Sequence, residues 1–204
     1  MKIGILISGR GSNMLAIVKA VQSGFISGSE VAAVISDKAS AEGLIKAKER
    51  GIETLVIARK GHSREEHDAE IIFELKKRDV KLVCLAGYMR LLSPEFIRAF
   101  PNRILNIHPS LLPSFKGLDA QQQAIDYGVK VSGCTVHFVD EDLDHGAIIA
   151  QKTVEVLDKD TAGSLAARIL EYEHALYTHA IKKIVEGEIE IRGRRVIAKQ
   201  PNDG

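Results

Sequence analysis

The chain has 204 residues, of which 45% are hydrophobic and 27% charged, a composition typical of a globular protein with a buried core. Its 28 Lys and Arg residues and 27 Asp and Glu residues leave a formal net charge of +1, whereas nucleic-acid binders usually carry a large basic excess. No apolar run approaches the roughly 18 residues that a membrane helix requires. We therefore expect a soluble protein with neither a nucleic-acid nor a membrane partner.

The N-terminus and the two cysteines indicate the compartment. Met1 leads directly into the apolar segment 3–7, with no cleavage site of small residues behind it, which favours a buried first strand over a signal peptide. Cys84 and Cys134 lie far apart in apolar segments and form no C-x-x-C pair, so we expect two reduced core thiols. The sequence thus predicts a cytoplasmic protein.

Short β-rich runs alternate with amphipathic helical stretches along the first half of the chain. This alternation is typical of a parallel sheet with helices on both faces. Strands are predicted at residues 3–7, 31–35, 54–57, 82–85 and 104–107. Helices are predicted at residues 13–22, 41–50 and 64–78, and a further helix opens at Ser93-Pro94, where the serine caps the helix and the proline fits its first turn.

The pattern changes after the fifth strand. Apolar and polar residues alternate in segments 131–139 and 148–156, which are predicted to pair antiparallel. A long helix is predicted at 162–185, and residues 188–198 are predicted to form a hairpin that turns at Gly193. The expected fold is α/β, a Rossmann-like, mostly parallel twisted sheet with antiparallel C-terminal strands and a long C-terminal helix. No internal repeat or linker interrupts the chain, so residues 1–204 are interpreted as one domain.

The turn after the first strand reads Ser-Gly-Arg-Gly-Ser-Asn over residues 8–13. Glycines at a strand-to-helix turn allow close backbone approach, and the helix N-terminus offers free N–H groups to a phosphate. The third glycine of a dinucleotide fingerprint would fall at Met14, which weakens an NAD interpretation but is compatible with a monophosphate. The alternative is a tight turn in which Ser12 merely caps the helix.

Asn106 and His108 alternate with Leu105 and Ile107, so a strand places the amide and the imidazole on one face. A parallel strand in an α/β fold should be apolar on both faces, and Pro109 ends this strand at the edge where such folds bind ligands. An amide beside an imidazole suits a carbonyl that becomes an oxyanion. The alternative is a capping asparagine and a structural histidine.

Four acids lie within residues 140–144. They could form a solvated turn, or Asp144 could face an imidazole, orient the ring and stabilise its charged form. An EF-hand is excluded because its glycine and its glutamate would fall at His145 and Gln151.

The other histidines do not have the spacing of a metal site. On a helix, a separation of five positions turns two side chains to different faces. This separation applies to two pairs, His62 with His67 and His174 with His179. We therefore expect no metal.

Glu173 falls within the apolar stripe of the long C-terminal helix. The stripe consists of Leu165, Ile169, Leu176 and Ala180. A carboxylate that points toward a core must be paired or must reach a cavity. Glu173 could hold an amine or a sugar hydroxyl of a substrate, or it could form an internal salt bridge.

Several segments in order along nearly the whole chain closely resemble the phosphoribosylglycinamide formyltransferase family of folate-dependent enzymes. The most specific is the Asn-x-His-Pro-Ser-Leu-Leu-Pro run at 106–113, followed by Asp-x-Gly at 144–146. The others are residues 8–13, 84–92, 114–117 and 133–140.

The resemblance implies transfer of a formyl group from 10-formyltetrahydrofolate to the amine of glycinamide ribonucleotide, in de novo purine biosynthesis. It implies that Asn106, His108 and Asp144 are catalytic. It further implies that Gly11, Ser12 and Asn13 bind the phosphate and that Glu173 lies near the amine and ribose. The implied folate pocket comprises Arg64, Met89, Arg90, Leu91, Leu92, Asn106, Asp140, Glu141, Asp142 and Leu143, together with Asp144 at the end of the acidic segment. The corresponding halves are 1–100 for the ribonucleotide and 101–204 for folate and catalysis.

The resemblance also implies a cis Leu112-Pro113 bond, and it leaves a monomer and a homodimer open. Relatives often carry His at position 121 and a polar residue at 170, where this chain has Gln121 and Leu170, and Asp119 also departs from the pattern. The substrate contacts of residues 119, 121 and 170 therefore stay open, and Gln121 is assigned no catalytic role.

Three other functions remain as alternatives. One is another folate-type formyl transfer or hydrolysis, although relatives with those activities carry an extra domain for which this chain has no room. The second is a nucleotide-binding oxidoreductase, with Gly9-x-Gly11 as a dinucleotide turn and Asp37 on the ribose. The third is a non-catalytic binding module, in which the Asn106/His108 face is incidental.

Overall fold

The computed structural model describes residues 1–199, in which nine strands form one sheet. The first five strands are β1 (Lys2–Ile7), β2 (Glu30–Ser36), β3 (Thr54–Val56), β4 (Leu82–Leu85) and β5 (Ile104–His108). The other four are β6 (Val131–Phe138), β7 (Ile148–Glu155), β8 (Ile189–Arg192) and β9 (Arg195–Ala198). Their order is β3-β2-β1-β4-β5-β6-β7-β9-β8.

Strands β1 to β5 pair in parallel, whereas β5–β6, β6–β7 and β8–β9 pair antiparallel. The predicted α/β fold with antiparallel C-terminal strands is therefore confirmed. Because β1, β4 and β5 are parallel neighbours, their carboxyl ends meet at one edge of the sheet, where ligands bind in folds of this kind.

In the same described residues, six helices flank the sheet, namely α1 (Ser12–Gln22), α2 (Glu42–Lys48), α3 (Arg64–Lys77), α4 (Pro94–Ala99), α5 (Ala120–Tyr127) and α6 (Ala162–Val185). The predicted opening of α4 is confirmed, because the Ser93 hydroxyl accepts a hydrogen bond from the N–H of Phe96 and Pro94 is the first helical residue. None of the helices within residues 1–199 is both long and apolar enough to cross a membrane.

Helix α5 was not predicted from the sequence. Its opening residue, Asp119, has a left-handed backbone (φ 55°) and makes no side-chain cap, so no start signal precedes the helix. Only two small residues of the helix, Ala120 and Ala124, are buried, which leaves a weak apolar pattern.

The core lies on both faces of the sheet, as a parallel arrangement requires. Ile5 of β1 contributes to the cluster on the side of α1 and α6, whereas its neighbour Leu6 contributes to the opposite cluster. Tyr177 of α6 is fully buried and its hydroxyl donates to the backbone carbonyls of Leu85 and Leu105, at 3.1 and 3.0 Å. This contact fixes the long helix across the two strands that lead to the site.

Cys84 and Cys134 are buried free thiols, as predicted. Burial raises the pKa of each thiol to about 12. Both side chains therefore act as small apolar groups at neutral pH.

Candidate active site

The tip of β5 presents Asn106 and His108 on one face, while Leu105 and Ile107 enter the core on the other. Strand β6 runs antiparallel beside it and places His137 opposite Asn106 and Thr135 opposite His108. The imidazole of His108 is 4% exposed. A polar face two strands wide therefore lies at the edge where the parallel strands end.

Asp144 reaches this face from the loop between β6 and β7. Its Oδ2 lies 3.4 Å from Nδ1 of His108 and accepts a hydrogen bond of 2.8 Å from the backbone N–H of Gly117. The side chain is 8% exposed and its backbone is left-handed, with φ 45°. The structure thus brings together the three side chains that the sequence singled out for chemistry.

Both ring nitrogens of His108 face oxygen acceptors. Nδ1 faces Asp144, and Nε2 lies 2.8 Å from the backbone carbonyl of Phe115. A ring that is protonated on both nitrogens can donate to both acceptors, whereas a neutral ring can donate to only one. The geometry therefore gives each ring nitrogen an acceptor, and the doubly protonated ring is the form that can donate a proton or stabilise an oxyanion.

His137 belongs to the same constellation and was missed from the sequence. Its Nδ1 lies 2.7 Å from the carbonyl of Phe138, and its Nε2 lies 3.2 Å from the amide nitrogen of Asn106 and 3.7 Å from Oδ1 of Asp144. Burial lowers the pKa of His137, although the Phe138 carbonyl and the Asp144 carboxylate oppose that shift. The ring is therefore neutral, with its proton on Nδ1, and Nε2 accepts from Asn106 and fixes which way that amide points.

Thr135 holds the segment that follows β5. Its hydroxyl donates to the carbonyl of Ser110 at 2.7 Å and accepts from the backbone N–H of Leu112 at 3.1 Å. Gln151 adds a bond to the same hydroxyl at 3.0 Å. These contacts surround the Leu112-Pro113 peptide bond, which is cis, as the resemblance implied.

The turn between β1 and α1 leaves the helix N-terminus free. Gly11 is the residue before the helix, with φ 70°, and neither it nor Ser12 caps the helix through a side chain, so the cap interpretation of Ser12 is wrong. A Cβ on Gly11 would lie 2.8 Å from Cα of Gly43 and 3.0 Å from Cε of Met14. The first turn of α1 also has no acidic residue. The open N–H groups and the positive end of the helix dipole together favour an anion.

Glu173 of α6 lies beside this turn. It is 8% exposed, and its Oε2 accepts a hydrogen bond of 2.7 Å from the side-chain amide of Asn13. The alternative of an internal salt bridge is wrong, because the partner is a neutral amide. Burial raises the pKa of Glu173, and the bond from Asn13 partly offsets this effect. Asn13 and Glu173 thus form one polar unit at the helix N-terminus.

The segment after β4 contains four of the folate candidates, Met89, Arg90, Leu91 and Leu92. It is joined to the turn between β1 and α1, because the N–H of Met89 donates to the Ser8 hydroxyl at 3.0 Å and the N–H of Ser8 donates to the Gly87 carbonyl at 3.1 Å. Met89 and Leu91 expose 62% and 55% of their surface. Such exposed apolar side chains next to a polar site suit a ligand with a flat, apolar body.

Leu143 is the apolar member of the acidic loop and lies close to Gly117, next to the Asp144 contact. Glu141 approaches Arg98 of α4 at 3.8 Å, and Asp140 bonds His145 at 2.8 Å. Asp142 is exposed, and its carboxylate lies 3.6 Å from His145. The loop therefore forms one wall of the site.

Arg64 is not brought into contact with the other candidates. It is the first residue of α3, and within residues 1–199 its charged partner is its neighbour Glu65, at 3.4 Å. Leu170 is half-buried on α6 and Gln121 lies on α5, so neither contacts the Asn106–His108 pair through a hydrogen bond in the described part of the chain. Residues 1–199 also contain no cluster of three or more His, Cys, Asp or Glu side chains arranged for a metal.

A cavity of about 370 Å³ lies near the site but not at it. It is lined by Leu111, Ser114, Phe115, Tyr127, Val129, Val131 and Ser132. The side chain of Phe115 thus lines the cavity while its carbonyl bonds His108.

The chain is similar to known formyl transferases. Residues 1–181 match the formyl transferase family. The chain is 43% identical to the phosphoribosylglycinamide formyltransferase of Escherichia coli, over 94% of this chain and 90% of that one. It is 44% identical to the trifunctional purine biosynthetic protein adenosine-3 of Gallus gallus over 94% of this chain, but it spans only 19% of that protein's length.

A solved structure shares the whole architecture. The glycinamide ribonucleotide transformylase 1 of Symbiobacterium toebii superposes with a TM-score of 0.96 at 50% identity, covering 98% of this chain and 94% of that one. The chain therefore belongs to the formyl transferase family, among the phosphoribosylglycinamide formyltransferases.

Proposed function

We propose that the chain transfers the formyl group of 10-formyltetrahydrofolate to the amine of glycinamide ribonucleotide, giving formylglycinamide ribonucleotide and tetrahydrofolate in de novo purine (IMP) biosynthesis. The observation that carries the proposal is the group of Asn106, His108 and Asp144 at the end of β5, in which the side chains of His108 and Asp144 are buried. The names of the relatives support the identity of both substrates.

Gly11, Ser12 and Asn13 bind the phosphate of the ribonucleotide in this proposal. The free N–H groups of α1 and its dipole attract the phosphate, and Glu173 accepts hydrogen bonds from the ribose or the amine. Glu173 lies on α6 and Asn13 on α1, so the ribonucleotide site uses both halves of the chain.

The folate lies between the segment after β4 and the acidic loop. Its apolar body packs on Met89, Leu91, Leu92 and Leu143, and the polar groups of Arg90 and of residues 140–142 orient its ring. Arg64 is proposed as a more distant contact for the negatively charged tail. The cosubstrate supplies the formyl group, which must lie beside Asn106 and His108.

The amine nitrogen attacks the formyl carbon, and the bond from that carbon to N10 of the folate then breaks. Asn106 and the His108 imidazolium donate hydrogen bonds to the developing oxyanion, which requires that the formyl oxygen replace the Phe115 carbonyl at Nε2. Asp144 keeps His108 charged and oriented. The proton lost by the amine passes through water to N10.

The experiment that tests the proposal follows tetrahydrofolate release with and without glycinamide ribonucleotide. Release that depends on the ribonucleotide is expected. Release that is equally fast without it indicates a formylfolate hydrolase, which is the nearest alternative, and no release in either case rejects the proposal.

A nucleotide-binding oxidoreductase is tested by thermal shift. Met14 is fully buried where a dinucleotide fingerprint has its third glycine, which disfavours this alternative. NAD(P) is expected to leave the melting temperature unchanged, whereas folate and ribonucleotide raise it. Stabilisation by NAD(P) alone contradicts the formyl-transfer proposal.

We further propose a single functional domain over residues 1–204, with the phosphate turn in 1–100 and the catalytic strand in 101–204, although 200–204 lie outside the described residues.

The cytoplasm is the proposed location, which the two free thiols support. The partners are small molecules, and a monomer and a homodimer fit the proposal equally well.

A further inference from the structure

His145 is held from two sides by groups outside the catalytic set. Its Nδ1 lies 2.8 Å from Oδ2 of Asp140. On the other side, Nη1 of Arg194 lies 2.7 Å from Nε2 of His145, and Nη2 of the same arginine donates to the His145 carbonyl at 2.6 Å. With a proton on Nδ1 the ring donates to the carboxylate, and Nε2 accepts from the guanidinium, whose Nη1 also lies 3.3 Å from Nδ1.

The residues on either side of His145 have little conformational freedom. Asp144 has a left-handed backbone, which is uncommon for a residue with a side chain and must be held by its surroundings. A Cβ on Gly146 would lie 1.8 Å from the carbonyl oxygen of Phe138, so the loop returns against β6 at that point. The contacts of His145 therefore bear directly on where the Asp144 carboxylate points.

Arg194 lies in the turn between β8 and β9. This hairpin joins the rest of the sheet through a parallel pairing of Ile148 with Arg195 at the edge of β7. The family match ends at residue 181, so the hairpin lies outside it. The side chain of Arg194 nevertheless contacts the loop that carries Asp144, the proposed catalytic aspartate.

We propose that Arg194 is a positioning residue for the formyl transfer, acting through His145. Arg194 hydrogen-bonds both the ring and the carbonyl of His145. Through these bonds the hairpin holds residues 140–144 in the conformation that binds the folate and keeps the Asp144 carboxylate next to His108. This inference rests on the proposed function. A guanidinium is needed because its planar fork reaches two acceptors at once, which an ammonium group does less well.

The test compares Arg194→Ala, Arg194→Lys and the unaltered chain in steady-state assays with both substrates varied. Arg194→Ala is expected to raise the KM for 10-formyltetrahydrofolate by about three- to tenfold and to lower kcat, since charge-assisted bonds to the loop are lost. The KM for glycinamide ribonucleotide should stay within about twofold, because no hydrogen bond or ion pair within residues 1–199 joins the hairpin to residues 8–13. Arg194→Lys should recover part of the loss.

Arg195→Ala is the matched control, because it removes a neighbouring arginine of the same hairpin that makes no described side-chain bond to residues 140–146. The double variant Arg194→Ala/His145→Ala should lose less than the sum of the two single losses, since both changes remove the contact with the ring, whereas the bond to the His145 carbonyl is lost only with Arg194. If Arg194 were only structural, Arg194→Ala would lower the melting temperature and would change the KM values for 10-formyltetrahydrofolate and glycinamide ribonucleotide by similar factors.

Hydrogen exchange of residues 140–147 tests the contact without relying on activity. Arg194→Ala is expected to accelerate exchange in this segment and Arg195→Ala to leave it unchanged. If the unaltered chain transfers no formyl group, the proposed function fails while the exchange result still decides whether Arg194 holds the loop. Unchanged exchange, or both KM values and kcat within twofold of the unaltered chain, overturns the inference.

Discussion

Oδ2 of Asp144 lies 3.4 Å from Nδ1 of His108, and both side chains are at least nine-tenths buried. On its other side, Oδ2 accepts a bond from the Gly117 N–H, so the carboxylate is fixed by the segment that follows β5 as well as by its own loop. A buried carboxylate held in this way fixes the orientation of the imidazole and the direction in which its other nitrogen donates.

Asp144→Asn should therefore lower kcat by about 10²–10³ while the protein stays folded, because the amide no longer stabilises the imidazolium that supports the oxyanion. His108→Ala should cause a loss of similar size. Steady-state formyl transfer measures kcat, and circular dichroism checks the fold. Asp158→Asn, at an exposed ion pair with Lys130, is the control and should retain full activity. Near-normal turnover in both site variants contradicts the mechanism.

His137→Ala should lower kcat by about tenfold, which is less than the loss of a direct donor to the oxyanion. The imidazole accepts from the Asn106 amide, which leaves the second N–H of that amide for the proposed oxyanion. His137→Gln, whose side-chain oxygen can also accept, should recover part of the activity. Equal activity of the alanine variant and the unaltered chain would show that Asn106 needs no such support.

Stability should decline as the pH falls below about 6.5, the ordinary pKa of histidine. Burial lowers the folded-state pKa of His137 and of His174, so the unfolded chain binds these protons first and protonation favours unfolding. The contribution of the two neutral histidines to the free energy of unfolding is complete above their pKa in the unfolded chain. It is lost as the pH falls through their lower pKa in the folded protein. Melting temperatures measured from pH 8 to 5 test this, and a combined His137→Gln/His174→Gln variant should show a shallower decline.

Glu173→Gln should stabilise the protein without ligand at neutral pH and weaken ribonucleotide binding. Burial raises the pKa of this carboxyl, so its ionisation opposes folding, with a cost that grows as pH rises through the folded pKa. Removing that cost should raise the melting temperature by about 2–4 °C for each kcal/mol gained. The KM for glycinamide ribonucleotide should rise at the same time. A lower melting temperature at pH 7.5 would contradict the assignment of burial as the dominant effect.

Gly11→Ala should raise the KM for the ribonucleotide by about tenfold, equivalent to about 1.4 kcal/mol. The added Cβ collides with Gly43, and the left-handed backbone already present at position 11 costs a side-chain-bearing residue about 1–2 kcal/mol, so the turn shifts away from the phosphate. Gly9→Ala is the matched control, because a Cβ there meets nothing within 4 Å. Titration with inorganic phosphate gives a second measurement that does not depend on catalysis.

The strands and most helices could be predicted from the sequence because their signals are local. Periodicity places Asn106 and His108 on one face of β5, and Ser93-Pro94 marks the opening of α4. Helix α5 was missed because its residues provide neither a capping side chain nor a continuous apolar stripe. Glu173 was recognised as an exception within an apolar stripe, but its partner Asn13 was not, since the two are 160 positions apart in the chain.

The sequence by itself determined which chemical groups exist and which face of a strand or helix each one occupies, because those properties follow from residue type and backbone period. Only the tertiary structure decided that His137 lies against Asn106, that Asp144 contacts both His108 and Gly117, and that Arg194 reaches His145. These contacts depend on the register of β6 against β5 and on the path of the loop and hairpin beyond it. Register and loop path are set by packing over the whole molecule, and no local pattern specifies them.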